Sequence, residues 1–270
     1  MFRVRAATVL LFVLLLLMLI VWVEEDDLLD TAWGNICLNM IADFFFVVCL
    51  TVMFGLLCRG MIVDARRFFG IDDRTPIQVY ISRHEDETTV SGGVLTGEEY
   101  EIADELKSAL KKHFSGTIAF WARLLGVDLE VPEIVIKGSP LKEVREWSCA
   151  GGLILIGGPT RNKLAEFYLQ KADPWVTFDD NKKKFLVRRG EQALREERED
   201  SGSLAVLQKS IVDGRVVVFA FGFGEHGTCA AVRYLANEWR RLAKKYPDRG
   251  FAHLLQVNSA GQVRVLEELP

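Results

Sequence analysis

The 270-residue sequence holds seven prolines, five cysteines and four histidines, and each shortage removes a class of protein. So little proline, beside 22 glycines, excludes a collagen-like repeat or a proline-rich disordered chain. Five cysteines, an odd number, do not build a disulfide scaffold. His84, His113, His226 and His253 never take the spacing of a metal-binding helix, and the sequence has no P-loop and no G-x-S-x-G nucleophile elbow. Positive charge is also short. With 33 basic and 37 acidic residues the formal net charge is −4, so nothing draws the chain as a whole to nucleic acid.

What is abundant is hydrophobicity, at 50% of residues, although 26% are charged. A mean hydropathy of +0.15 is too high for a soluble chain of that charge, so the excess must be local. It lies in two N-terminal blocks. Residues 6–23, AATVLLFVLLLLMLIVWV, are eighteen residues without a charge and reach about 27 Å as a helix, close to the thickness of a bilayer's hydrocarbon. Residues 36–58, ICLNMIADFFFVVCLTVMFGLLC, form a second stretch of twenty-three, broken only by Asn39 and Asp43. Both read as transmembrane helices. Arg3 and Arg5 give the first block the basic start of a signal peptide. Its length, and its end in Val23-Glu24-Glu25-Asp26-Asp27 without a small-x-small site, favour a retained span.

Basic residues flank the pair on one side only. Arg3 and Arg5 precede the first span and Arg59, Arg66 and Arg67 follow the second, whereas residues 24–35 between them carry five acids and no base. The positive-inside rule then puts both termini in the cytoplasm, with the chain in the inner membrane. Trp22 and Trp33 fit the outer water boundary. Asp43 has two readings, which the sequence leaves open. It is either a carboxylate within the span, needing a partner or water, or the outer end of a shorter span that begins at Phe44. The bilayer is the first expected partner, and a homo-oligomer or another membrane protein the second.

Removing the three bases and six acids of residues 1–60 leaves 30 bases and 31 acids, so the remainder is nearly neutral. The expected organisation is a two-span hairpin over 1–60, a juxtamembrane linker over 61–75 and a cytoplasmic domain over 76–270. In that domain, apolar runs at 77–82, 133–137, 153–156, 204–211, 216–220, 251–257 and 263–266 alternate with helical stretches at 96–113, 117–125, 141–147, 160–170 and 228–246. Trp175–Phe178 and Lys184–Val187 read as a hairpin, and 191–203, dense in charges of both signs, as a solvated loop or surface helix. The fold class is α/β, a Rossmann-like, mostly parallel sheet with flanking helices and some antiparallel edge.

Two glycine turns carry the chemistry. Gly222-Phe223-Gly224-Glu225-His226-Gly227-Thr228 is a literal G-x-G-x-x-G between an apolar strand and a helix, the setting in which backbone amides and a helix N-terminus receive pyrophosphate. The acidic residue of a dinucleotide site is missing, since the next strand runs into Asn258, and the plain alternative is a tight turn. Gly157-Gly158-Pro159-Thr160-Arg161-Asn162 is a second strand-to-helix turn. If their strands are neighbours, Gly157, Gly158, Thr160, Arg161, Asn162, Gly222, Gly224, His226, Gly227 and Thr228 meet in one crevice at the carboxyl edge of the sheet. That crevice suits a nucleotide or another anionic small molecule. Against this stands the reading that Asn162 and Thr228 cap their helices.

The stretches LILIGGPTRN and GRVVVFAFGFGEHGTCAAVRYLANEW also resemble paired elements of archaeal S-layer-type domains. They resemble still more a prokaryotic α/β domain of unknown function with a GGPxxN turn and a GTxAAxRYL helix start. The resemblance covers residues 153–239, under a third of the chain. It implies an α/β fold and puts Gly157, Gly158, Asn162, Gly227 and Thr228 at family-like positions, but brings no chemistry. S-layer proteins are extracellular while the arginine flanks here point inward, so a coat function is not implied.

No metal site and no catalytic residue is expected. His84, in Ser82-Arg83-His84-Glu85-Asp86-Glu87, lies in the one cluster that could supply a base with a carboxylate to orient it, which is also an ordinary composition for a loop. Cys149 and Cys229 suit packing better than nucleophilic attack. The leading expectation is a membrane-anchored, non-catalytic module that senses a ligand or recruits a partner. A nucleotide-gated two-span membrane effector, similar in architecture to anchored sensors of prokaryotic antiviral systems, is the alternative, and a nucleotide-dependent enzyme the third.

Overall fold

The structure, a computed structural model, describes residues 32–71, 75–84, 94–95, 97–115, 133–140, 144–145, 147, 151–172, 175–179, 184–189, 192–197, 203–258 and 261–269. The first expected span and the helix expected at 117–125 lie outside the described residues, as does most of that expected at 141–147. The chain divides into two compact units, Met1–Ile62 with Phe114–Glu130, and Val63–His113 with Val131–Pro270.

In the first unit the described chain is mostly helix α1, which runs Ala32–Phe69 and ends in the second unit. Its stretch Asn39–Leu57 has a mean hydropathy of 2.4 and is long and apolar enough to cross a membrane. The apolar residues are spread round the helix rather than gathered on one face, the pattern of a lipid-facing or fully buried helix. Here they are exposed, Met40, Phe44, Phe45, Phe46, Phe54 and Leu57 among them. The one hydroxyl in the stretch is satisfied internally, because Thr51 Oγ1 donates to the Val47 carbonyl at 2.8 Å. Asp43 is exposed inside the stretch, eleven residues after the helix begins, and so is not at a helix end.

The second unit is built on a seven-stranded sheet in the order β12-β11-β9-β10-β5-β1-β4. Its strands are β1 (Ile77–Ile81), β4 (Ile134–Gly138), β5 (Leu153–Ile156), β9 (Ser203–Val212), β10 (Arg215–Gly222), β11 (Phe251–Val257) and β12 (Val263–Leu269). Pairs β1/β4, β1/β5 and β5/β10 are parallel, whereas β10/β9, β9/β11 and β11/β12 are antiparallel. The sheet is therefore mixed, parallel at one end, which corrects the mostly parallel expectation. The reason lies in Asp213 and Gly214, at φ 51° and 75°. They close a two-residue hairpin that folds β9 back onto β10 and sets an antiparallel half beside the parallel one. A ribbon β2 (Arg83–His84) with β3 (Val94–Leu95) and a three-stranded sheet of β6 (Val176–Asp179), β7 (Lys184–Arg189) and β8 (Gln192–Glu197) complete the strands among the described residues. Residues 192–197 are thus a strand paired to β7, not the loop or helix that their charges suggest.

Helices are α2 (Gly97–Ser115), α3 (Lys163–Lys171) and α4 (Gly224–Lys245). Alternation along β10 divides the core. Val217, Phe219 and Phe221 pack with Leu164, Phe167 and Tyr168 of α3 and with Val176, Phe185 and Val187 of the small sheet. Val218 points the other way with its cross-strand partner Lys209, on the face that α4 covers. Lys209 is wholly buried, yet satisfied. Its Nζ donates to the Tyr246 and Pro247 carbonyls at 2.9 and 2.8 Å, at the negative end of α4, and lies 4.9 Å from the Phe68 ring centroid. Burial lowers its pKa to about 8, against the pull of Asp248.

The last turn of α1 docks in the same place. Phe68 stacks on Phe251 at 6.0 Å, and Phe69 meets Trp239 at 5.9 Å. Gly70, at φ 63°, lies so close to Val216 that a Cβ there would stand 2.7 Å from the valine's. Nearby, His253 is fully buried between two tyrosines, Nδ1 3.0 Å from Tyr234 Oη and Nε2 3.4 Å from Tyr246 Oη. Burial is the main cause of a pKa lowered from 6.5 to about 4. The unfolded chain therefore binds a proton that the folded one refuses, and stability present above pH 6.5 is lost as the pH falls toward 4. The loss expected from this group is about 3 kcal/mol. Urea unfolding of wild type and His253→Gln across that range checks it. The variant is less stable at neutral pH but loses less on acidification, and parallel profiles would assign the acid sensitivity elsewhere.

Candidate functional site

The parallel pair β5/β10 makes neighbours of the two glycine turns, which leave the carboxyl ends of adjacent strands. Between them is a cavity of about 430 Å³, within the usual range for small-molecule sites. Six residues singled out from the sequence line it: Gly158, Thr160, Arg161, Gly222, Gly224 and Thr228. Gly157, Asn162, His226 and Gly227 do not.

Each of those four has a different task. Gly157, at φ 97°, packs against β1, where an added Cβ would fall 2.2 Å from Ser82 Oγ. Asn162 is the N-cap of α3: its Oδ1 accepts from the Leu164 and Ala165 amides, and its Nδ2 donates to the carbonyls of Tyr80 and Ile156. The helix accordingly starts at Lys163, with Pro159–Arg161 forming the turn before it rather than its first turn. His226 is exposed, its Nε2 3.4 Å from the Asn258 carbonyl. Gly227 faces Gly222, and a Cβ on Gly222 would lie 2.5 Å from the Gly227 carbonyl carbon. Two glycines of the G-x-G-x-x-G run therefore serve close contact between strand and helix. The middle one, Gly224 at φ 62°, turns the chain into the cavity wall.

Helix α4 begins at Gly224, four residues earlier than its composition suggests. Thr228 is thus not a cap: its Oγ1 donates to the Gly224 carbonyl at 3.1 Å, within the helix. The N-cap residue is Phe223, whose side chain forms no capping bond. The first amides of α4 have no intrahelical acceptor, and the helix dipole leaves partial positive charge beside the cavity.

Sequence reading missed the other half of the lining, namely Glu99, Glu225, Phe178, Phe185, Phe221 and Phe223. The four phenylalanines form one aromatic cluster, with centroids 4.6 Å apart for Phe185–Phe223 and 5.6 Å for Phe178–Phe223. Glu99 comes from the first turn of α2. Within the described residues its Oε2 accepts from the Ser82 amide at 2.9 Å. Thr96-Gly97-Glu98-Glu99 has the spacing of a capping box, of which Thr96 lies outside the described residues.

Nucleophilic chemistry finds no support at Cys229, one turn into α4. Burial raises its thiol to about 11; Arg233 opposes the shift, and Glu98, Glu225 and Glu99 add to it. Among the described residues no three His, Cys, Asp or Glu side chains gather as a metal site. The side chain of His84 and all of Cys149 lie outside the described residues.

Fold and site together define an α/β protein with a mixed sheet, a cavity at the carboxyl ends of two neighbouring parallel strands, and an apolar helix of membrane-spanning length. No family model matches the chain, and neither a curated protein nor a solved structure matches it.

Proposed function

We propose that the protein is a membrane-anchored, non-catalytic ligand-binding module whose α/β domain faces the cytoplasm and senses a small molecule or recruits a partner. The observation that carries this reading is the convergence of both glycine turns on one cavity. In α/β sheets that position, outside the carboxyl ends of neighbouring strands, is where ligands collect. The exposed apolar surface of α1 supports the anchor, as do the arginine flanks of the two expected spans. Asp43 supports self-association or pairing with another span, because a carboxylate in hydrocarbon costs a few kcal/mol unless a polar group or water meets it.

Gly158 provides the test. A side chain there would enter the cavity, and among the described residues its Cβ would meet only Thr160 Oγ1, at 4.0 Å, so Gly158→Leu fills the site without displacing described backbone. Saturation-transfer NMR on the detergent-solubilised chain, with a mixture of amino acids, nucleotides and inorganic phosphate, is expected to show binding by at least one of them. Gly158→Leu removes that signal while Tm moves by no more than about 2–4 °C. A signal that survives the leucine would place binding outside this cavity and overturn the reading.

A further inference from the structure

Resting on the anchored reading, we infer that the end of α4 is a basic surface that binds the anionic phospholipid headgroups of the membrane holding the protein. Residues 240–249, the last turns of α4 and the loop after them, read RRLAKKYPDR, five bases against one acid. Arg240, Arg241, Lys244, Lys245 and Arg249 are all exposed. Arg240 and Lys244, one turn apart, share a stripe of the helix. Two of the guanidiniums rest on aromatic rings: Arg240 lies 5.7 Å from the Trp239 centroid and Arg249 5.2 Å from that of Tyr246. Both rings are buried and so fixed in place. An arginine stacked on a fixed ring keeps its fork of donors ordered at the surface, in the geometry that matches phosphate oxygens.

The acids nearby are fewer, and each is met by a base. Glu238 accepts from Arg241 at 2.7 Å, Glu268 from Lys245, and Asp248 lies 3.9 Å from Arg67. Whole stretches of sequence keep the same sign. Residues 59–74 hold four bases and three acids, and residues 238–249 five bases and two acids.

The position of this surface makes lipid its partner. Trp239 meets Phe69 and Asp248 meets Arg67, so the end of α4 sits beside the last turn of α1. Arg66 follows Leu57, the end of the apolar stretch, by nine residues, and chain connectivity alone keeps it within about 30 Å of that point. The other end of α4 has the opposite sign. Glu225 in its first turn lines the same cavity as Glu99 of α2, whose first nine residues, GEEYEIADE, hold five acids and no base. Charge is thus polarised along α4, and a domain tethered beside an anionic leaflet turns its basic end toward it. The cavity then faces water. It opens at the carboxyl ends of β5 and β10, whereas α1 docks at their amino ends, where Gly152 meets the Phe69 carbonyl and Gly70 meets Val216.

The experiment places the full-length chain in nanodiscs of phosphatidylcholine alone and in nanodiscs containing about one third phosphatidylglycerol. Acetylation by a water-soluble succinimidyl ester is followed by mass spectrometry at Lys244 and, as the control, at Lys163, which starts α3 on the cavity side. At about 0.1 M salt Lys244 is expected to react at least about threefold more slowly in the anionic discs, and equally in both at about 1 M, where screening shortens to about 3 Å. Lys163 reacts alike throughout. Arg240→Gln with Arg249→Gln removes most of the difference at Lys244. Equal reaction of Lys244 in both discs at low salt overturns the inference and leaves the anchor standing. Protection that is the same in neutral discs and survives salt overturns it in favour of a protein partner. If the chain enters neither kind of disc, the anchor and the inference fail together. If it joins only the anionic discs and high salt strips it off, headgroup binding stands and the anchored reading fails.

Discussion

Replacing Asn162 by alanine is expected to destabilise the α/β unit by about 3–5 kcal/mol, a large part of the 5–15 kcal/mol that holds an ordinary domain together. The residue is fully buried, and its amide group makes four hydrogen bonds. Two of them cap α3, and losing a cap costs about 1 kcal/mol. The other two reach the carbonyls of Tyr80 on β1 and Ile156 on β5, at 3.1 and 2.8 Å. Each of those buried acceptors would lose a donor, at roughly 1–3 kcal/mol. Asn162→Ser restores an acceptor for the α3 amides and is expected to recover about 1 kcal/mol, but not the strand carbonyls. Urea midpoints at constant m-value measure both variants. A loss below about 1 kcal/mol for alanine would show that the two carbonyls find other donors.

Gly152→Ala is expected to cost still more. An alanine Cβ at that position would lie 1.7 Å from the carbonyl oxygen of Phe69 and 2.9 Å from its carbonyl carbon. The obstacle is backbone, so no side-chain rotation relieves it, and the end of α1 has to withdraw from the strand. Withdrawal uncovers Phe68 and Phe69, both fully buried, and leaves Lys209 without the aromatic face above it. The expected penalty exceeds about 4 kcal/mol, in the range reserved for core disruption. Trypsin is expected to cut after Arg66 and Arg67 faster than in the wild type. Gly97→Ala is the control, since nothing lies within 4 Å of its added Cβ and little change is expected. Equal protease resistance in Gly152→Ala and wild type would mean that the end of α1 tolerates the displacement.

The sequence conveys the elements well where burial is continuous. Leu153–Ile156 and Val216–Ala220 are apolar runs that the sheet buries, and both are strands. It fails where pairing decides the outcome. Gln192–Glu197 has the charges of a solvated helix, and only its ladder with β7 makes it a strand, which tertiary context imposes and local composition cannot show. The site was half legible for a related reason. Glycine turns are local, so their spacing exposes Gly158 and Gly224. Glu99 and Phe178 enter the same cavity from elements far off in the chain, where no spacing rule operates. Even the glycine motif was ambiguous, because the contact of Gly222 with Gly227 asks for the same residues as a phosphate would.

Strand β10 joins the two halves of the sheet, bonding β5 on one side and β9 on the other. During synthesis it emerges long after its parallel neighbour. Until residues 215–222 have left the ribosome, Leu153–Ile156 presents an apolar edge with no strand to cover it, the kind of edge that pairs with other chains. Both walls of the cavity wait on the same event, since Phe221–Thr228 completes what Gly158–Arg161 begins. A nascent chain is thus open to misassociation and without its cavity over much the same interval, and β10 with the start of α4 ends both conditions.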